Sequence, residues 1–272
     1  MRVTFLGAGL YGEALGKVAE LNDHEVKYYD PFRFPDIKIE DVISEADAII
    51  YVAPAEAYPE ILPRLPKDVP LILASKGFVS LSPFEGFKNF SALGGAAFAE
   101  DIMERIGKDV PADFRPLTLT ASSEISEQIF TTDFLRIEYT EDTKGIMLCG
   151  ALKNVYAIGG GLLMSDDQPE QYLTEAYFEI QDLLFLNGCN SDTATLSCGA
   201  PDLVLSCTME GRNFRFGDEM RAHPGSRIEP VGTVEGVNVI KSLDNFPDFI
   251  WPKDDKQSLI TRIVEAVLYA TE

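Results

Sequence analysis

Positive charge is scarce in this chain. Its 272 residues hold 23 Lys and Arg against 44 Asp and Glu, a formal net charge of −21 at pH 7. Such a surface repels nucleic acid and anionic membranes, so a broad basic contact face is not expected. Any site for an anionic ligand must then be built from a few local cations. Histidine is scarcer still, with only His24 and His223. His24 falls at the far end of the first predicted helix and His223 in a polar, proline-flanked stretch. Both read as surface residues, which leaves acid–base work to lysine, tyrosine or a carboxylate. The four cysteines, Cys149, Cys189, Cys198 and Cys207, form no CxxC pair and have no adjacent histidine to complete a zinc site. They read as reduced, buried thiols of a cytoplasmic protein, and no metal is expected. The start of the chain lacks a basic region and cleavage site, so no signal peptide is expected.

Long apolar runs are equally rare. Ile146 to Leu163 (IMLCGALKNVYAIGGGLL) is 18 residues with one charge, barely enough to span a bilayer. It carries Lys153 and Asn154 near its middle and four glycines, so a buried core helix fits better and no membrane insertion is expected.

What is present is most distinctive at the start. Met1 to Leu6 is short, apolar and β-prone. It runs into Gly7-Ala8-Gly9-Leu10-Tyr11-Gly12, a helically spaced Glu13 to Leu21, a strand Val26 to Tyr29, and Asp30. In a dinucleotide-binding turn the first glycine permits the tight bend. The second lets the backbone approach a pyrophosphate, and the third lets helix and strand pack closely. The helix N-terminus offers unpaired N–H groups to the phosphates. Asp30 falls where a carboxylate accepts the ribose hydroxyls of NAD, while nearby Arg33 could accommodate the extra phosphate of NADP.

Further strands are expected at Ala48 to Ala53, Pro70 to Ser75, Phe90 to Gly94, Leu117 to Ala121 and Leu135 to Tyr139. Helices are expected at Ile39 to Ile43, Glu56 to Leu65, and around Ile125 to Phe130. The segment Gly95 to Asp101 reads as a turn entering a helix. The fold class is α/β, with an N-terminal Rossmann doubly wound parallel sheet over 1–140 and a mainly helical domain over 141–272. Helical patterns in the latter include 146–163, Leu173 to Leu186, Leu203 to Leu205 and Ser258 to Ala270. An apolar helical domain of this kind also suits a homodimer interface.

Three places could carry chemistry. Lys153 is the only charge in the apolar helix. It either is buried with a partner, where desolvation suits a lysine to proton transfer, or snorkels to the surface. Lys76 follows the strand PLILAS, at the strand end where ligands of open α/β sheets bind. Arg212-Asn213-Phe214-Arg215 sets two arginines beside an asparagine, a pattern suited to an anion such as phosphate or to surface ion pairs. Asp202, after Gly199-Ala200-Pro201, reads better as a helix N-cap than as a partner for a buried lysine.

In order along the chain, the motifs are Gly7 to Gly12, Ala74-Ser75-Lys76-Gly77, Gly95 to Ala99, Leu148 to Val155, Asp202 to Cys207, Arg212-Asn213 and Val234-Glu235-Gly236. Together they resemble the NAD(P)-dependent glycerol-3-phosphate dehydrogenase family over residues 1 to about 240. The resemblance implies reduction of dihydroxyacetone phosphate to sn-glycerol 3-phosphate, with Lys153 as proton donor and acceptor. It implies substrate binding by Lys76, Asp202, Arg212 and Asn213. Cofactor binding falls to Gly7, Gly9, Leu10, Tyr11, Gly12, Asp30, Lys76, Ala99, Arg212 and Glu235. Departures are Ala97, where the family usually has a hydroxyl, Gly211 in place of a common serine, and compression between Asp30 and Ala48. They leave open another small phosphorylated or carboxylated ketone. A dinucleotide-binding regulator without catalysis is the reading from a different class.

Overall fold

The computed structural model describes residues 1–109, 115–164, 167–207, 211–246 and 248–271. The chain divides into two compact units. One comprises residues 1–76 and 81–143, the other residues 77–80 and 144–272.

The first unit is built on a seven-stranded sheet. Its elements are β1 (Arg2–Leu6), α1 (Leu10–Leu21), β2 (Glu25–Tyr29), α2 (Ile39–Ile43), β3 (Ala48–Tyr51), α3 (Tyr58–Ile61), β4 (Leu71–Leu73) and β5 (Phe90–Gly94). They continue with α4 (Ala99–Arg105), β6 (Leu117–Ala121), α5 (Glu124–Phe130) and β7 (Leu135–Tyr139). The sheet order is β2-β1-β3-β4-β5-β6-β7. Strands β1 to β5 pair in parallel, β5 meets β6 antiparallel, and β6 pairs with β7 in parallel through the α5 crossover. The wholly parallel sheet expected from the sequence is therefore mixed at one junction. Strand hydrophobicity reports burial and not direction, so the reversal leaves no mark in the pattern.

Central strands are continuous apolar runs because both faces are covered. All four residues of β3 are buried, as are Val3 to Leu6 of β1. Phe5, Ile50, Ile72, Leu93 and Leu119 form the core with Leu15 and Val18 of α1 and Ile129 and Phe130 of α5. Leu6 pairs with both Tyr29 and Tyr51, so β1, β2 and β3 end at the same level. That register brings Gly7 and Asp30 to one edge. The helix expected over Glu56 to Leu65 is broken into 3₁₀, α and 3₁₀ turns. Pro59 and Pro63 cannot donate the N–H groups that a continuous helix needs.

The second unit is helical: α6 (Thr143–Leu163), α7 (Pro169–Leu186), α8 (Ala200–Ser206), α9 (Arg212–Ala222), α10 (Glu235–Ser242) and α11 (Leu259–Thr271). Helix α6 is long and apolar enough to cross a membrane by length and composition, but it is buried among the others from Gly145 to Gly161. Close backbone approach sets its neighbours. A Cβ on Gly161 would lie 2.0 Å from Phe214 O, and one on Gly217 would lie 1.9 Å from Ile158 O. Helices α6 and α9 thus touch backbone to backbone through glycines on both sides. Helices α9 and α10 were not expected from the sequence. The polar, glycine-containing segment RNFRFGDEMRA has weak helix propensity, and tertiary packing of Phe214, Gly217 and Met220 overrides it.

One carboxylate fastens three helices. Glu179 of α7 accepts Ser258 Oγ at 2.6 Å and Leu259 N at 2.9 Å on Oε1, and Ile260 N at 2.9 Å on Oε2. It thereby caps the N-terminus of α11, where negative charge is favoured. Its Oε2 also accepts the Tyr156 hydroxyl of α6 at 2.6 Å. Glu179→Ala is expected to destabilise the protein by about 2–3 kcal/mol, since it strands helix N–H groups and a buried phenol. Urea unfolding checks this; an unchanged midpoint contradicts it.

Burial also raises several acids. The phenols of Tyr51, Tyr156 and Tyr172 are pushed up, and Tyr28 and the Cys207 thiol are pushed up to about 12. The unfolded chain releases these protons first, near the ordinary values of 9 for cysteine and 10 for tyrosine. In that window the native state binds more protons than the unfolded one, so stability must fall as pH rises. The urea midpoint is expected to decline steadily from pH 9 to 12, with part of the slope removed in Tyr28→Phe.

Candidate active site

In the first unit, the carboxyl end of β1 turns through Gly7, whose φ is +112° and whose Cβ would lie 2.8 Å from Ala53 N. A Cβ on Gly12 would lie 2.3 Å from Gly7 O. Both glycines are required by the protein's own packing. Gly9 is different, for it is exposed and a Cβ there would meet nothing within 4 Å. The space in front of it is open to a ligand. Gly9 also precedes α1 without a side-chain cap, leaving first-turn N–H groups for an anion. Leu10 is exposed and Tyr11 half-buried. A cradle of this form fits the pyrophosphate of a dinucleotide.

Asp30 closes the turn. Its Oδ2 accepts Ala8 N at 2.9 Å, while Oδ1 accepts Phe32 N at 3.0 Å and Arg33 N at 3.2 Å. A carboxylate has about four lone-pair sites, so the residue can fix the loop and still accept a ribose hydroxyl. Half-buried Lys76, beyond the end of β4, places Nζ 5.9 Å from the centre of the Tyr11 ring. Ala99 opens α4 and is buried, as is Ala97 just before it.

In the second unit, Lys153 of α6 is 2% exposed and Asp202 of α8 is 1% exposed. Lys153 Nζ donates to Asp202 Oδ1. The snorkelling alternative for Lys153 is thereby excluded, and the capping role favoured for Asp202 is corrected. Helix α8 begins at Ala200 after Gly199, with Pro201 in its first turn, so Asp202 lies inside the helix and turns inward. The Cys207 thiol feels the Lys153 charge, but burial dominates and keeps it protonated.

Beside the pair runs a chain of amides whose direction one backbone group determines. Gly236 N–H donates to Asn213 Oδ1 at 2.9 Å, so Asn213 Nδ2 must be the donor to Asn154 Oδ1, also at 2.9 Å. Asn154 Nδ2 then donates to Glu235 Oε2 and to Gly150 O, each at 3.2 Å. This links α6 to the first turns of α9 and α10. The approach is tight, since a Cβ on Gly236 would lie 2.5 Å from Asn154 O. Arg212 opens α9, is exposed, and makes no ion pair among the described residues. The first turn of α9 holds no acid. A guanidinium at a helix N-terminus attracts an anion.

The histidines lie elsewhere. His24 contacts the N-terminal amine and Gln128 O, and exposed His223 follows α9. Among the described residues no group of His, Cys, Asp and Glu could hold a metal, and none of the four cysteines is in a disulfide. The Asn213–Gly236 and Asn154–Glu235 contacts were not foreseen, because they join residues 23 and 81 positions apart.

The first unit is thus a Rossmann-type sheet with an open glycine cradle, and the second a helical unit carrying a buried Lys–Asp pair. The family model described as NAD-dependent glycerol-3-phosphate dehydrogenase C-terminus matches residues 142–272. The glycerol-3-phosphate dehydrogenase [NAD(P)+] of Oceanobacillus iheyensis is 27% identical over 300 aligned positions, covering 90% of this chain and 84% of that protein. Among solved structures, glycerol-3-phosphate dehydrogenase from Plasmodium falciparum superposes with a TM-score of 0.80 at 18% identity, covering 99% of this chain and 92% of the other. The Coxiella burnetii enzyme gives 0.75 at 17% identity, with 98% of both chains covered. The second unit thus matches a glycerol-3-phosphate dehydrogenase family model, and over nearly its whole length the chain is similar to NAD(P)-dependent glycerol-3-phosphate dehydrogenases.

Proposed function

We propose that this protein interconverts dihydroxyacetone phosphate and sn-glycerol 3-phosphate with NAD(H), and that Lys153 is its general acid and base. The observation that carries this reading is the buried Lys153–Asp202 pair, set beside the amide chain that leads to Arg212. When bound, the nicotinamide supplies a hydride to the ketone carbon. Lys153 then donates a proton from Nζ to the oxygen that becomes the hydroxyl, and in the oxidative direction it takes that proton back. Asp202 aims the ammonium and compensates its charge where water hardly reaches. Positive charge held in place before the reaction stabilises the developing alkoxide without reorganisation.

Arg212 and the N-terminus of α9 are the proposed phosphate anchor. Asn213, its amide orientation fixed by Gly236, keeps a second N–H for the same oxygens. Anchoring the phosphate orients the ketone for attack. Lys76 adds positive charge for the substrate, and Glu235 and Ala99 are assigned to the cofactor. A regulator without catalysis would have no use for a lysine buried at this cost, and that argues against it.

The test is NADH oxidation by the purified protein with and without dihydroxyacetone phosphate, repeated at high salt. Turnover that requires this ketone is expected; NADH binding with no turnover would point to another ketone. Lys153→Ala is expected to lower kcat by at least about 10³-fold while NADH still binds. Because that change leaves Asp202 buried alone, Lys153→Ala/Asp202→Asn should be equally inactive but better folded. Arg212→Ala is expected to raise KM for dihydroxyacetone phosphate about 30-fold, equivalent to about 2 kcal/mol. An unchanged KM would refute the phosphate assignment.

A further inference from the structure

Arg33 lies across the glycine turn of the first unit. Its Nη1 donates to Ala8 O and stands 2.6 Å from Glu13 Oε1. Ala8 N meanwhile donates to Asp30, so the residue between Gly7 and Gly9 is gripped by a guanidinium on its carbonyl and a carboxylate on its amide. Glu13 is the acid in the first turn of α1. Of the two carboxylates around this turn, Asp30 is taken up by backbone N–H groups and Glu13 pairs with the guanidinium, which already has Ala8 O as a second partner. The Arg33 and Glu13 side chains are 47% and 37% exposed, so their pairing adds little to folding stability. Its consequence is for ligands that arrive at the turn.

We propose that Glu13 is a positioning residue for cofactor choice: by pairing with Arg33 it withholds the guanidinium from a ribose 2′-phosphate and makes the site selective for NAD(H) over NADP(H). This rests on the reading of the first unit as a dinucleotide site. A ribose with free hydroxyls offers donors to Asp30. A 2′-phosphate instead brings a charge of about −1.5 to −2 and needs a cationic partner. The residue placed to serve it is Arg33, which Glu13 neutralises and Ala8 O holds over the turn. The acid in the helix's first turn would also repel the pyrophosphate if it were unpaired. The Arg33–Glu13 pair thus lets the turn keep an anion-binding helix end while excluding an additional phosphate.

The experiment is the NADPH/NADH ratio of kcat/KM for wild type, Glu13→Gln, Arg33→Gln and the double variant. Calorimetric titration of each with ADP and with 2′,5′-ADP accompanies it. The wild-type ratio is expected below one. Glu13→Gln should raise it at least about tenfold, the worth of one charge-assisted contact. The gain should appear as a lower KM for NADPH and tighter 2′,5′-ADP binding, not as a change in kcat. It should vanish in the double variant, which a merely structural role for Glu13 would not produce. An unmoved ratio in Glu13→Gln, an equal gain in the double variant, or a wild type that prefers NADPH would overturn the inference while ADP binding upholds the dinucleotide reading. A wild type that binds neither ADP nor NADH would overturn both.

Discussion

An ammonium inside an apolar helix is the constraint around which the second unit is organised. Lys153 sits among Leu148, Leu152 and Val155, all buried, and an isolated charge there would be untenable. Asp202 resolves this only if α8 is brought against α6, and α8 is a short helix of seven residues with little packing surface of its own. A buried ion pair of this kind is weak evidence for stability, because two well-packed apolar residues of similar volume would commonly serve as well or better. Its persistence in the interior is therefore better explained by chemistry than by folding. Folding stability comes from elsewhere: the glycine-mediated contact of α6 with α9, and the Glu179 cap that ties α6, α7 and α11 together.

Overall charge sharpens the meaning of each cation. In a chain of net charge −21, most basic side chains that are placed for structure have acidic partners close by, as Arg64 has Glu40 and Arg2 has Asp47. Arg212 is exposed without one among the described residues, at a helix end with no acid in its first turn. Arg33 shows the opposite arrangement at the glycine turn, where the pairing with Glu13 is itself the device. Local cancellation at one helix end and its absence at another give the protein two anion-attracting termini of different strength. Because both are solvent-facing, screening by salt will weaken the difference.

Much of this was legible in the sequence. The glycine turn, α1, β2 and Asp30 follow from local rules, since each glycine is dictated by neighbours a few residues away or by one adjoining strand. The buried strands and α6 are visible as continuous apolar runs. The resemblance carried by Leu148 to Val155 and by Arg212-Asn213 pointed to the residues that the fold then brings together within the second unit. Three features were not legible, for different reasons. The β5–β6 reversal concerns strand direction, to which burial is indifferent. Helix α9 depends on packing against α6 and not on its own propensity. Asp202 looked like a cap because it follows Gly199-Ala200-Pro201, yet Gly199 is the cap, the helix starts at Ala200, and the carboxylate turns inward.

The amide chain shows how little freedom the site retains once the helices are set. A side-chain amide can normally be turned about to exchange its donor and acceptor ends. Here the Gly236 N–H can only donate, which fixes Asn213, which fixes Asn154, which requires Glu235 to accept. One backbone proton thus propagates an orientation through three side chains and across three helices. Gly236 is the condition for it, because any side chain at that position would push the first turn of α10 away from Asn154. A partly buried polar network with its amides oriented is rigid in a way that apolar packing is not. Rigidity of that kind is what the phosphate anchor proposed at the start of α9 would need to hold a small ketone still while a proton and a hydride are exchanged.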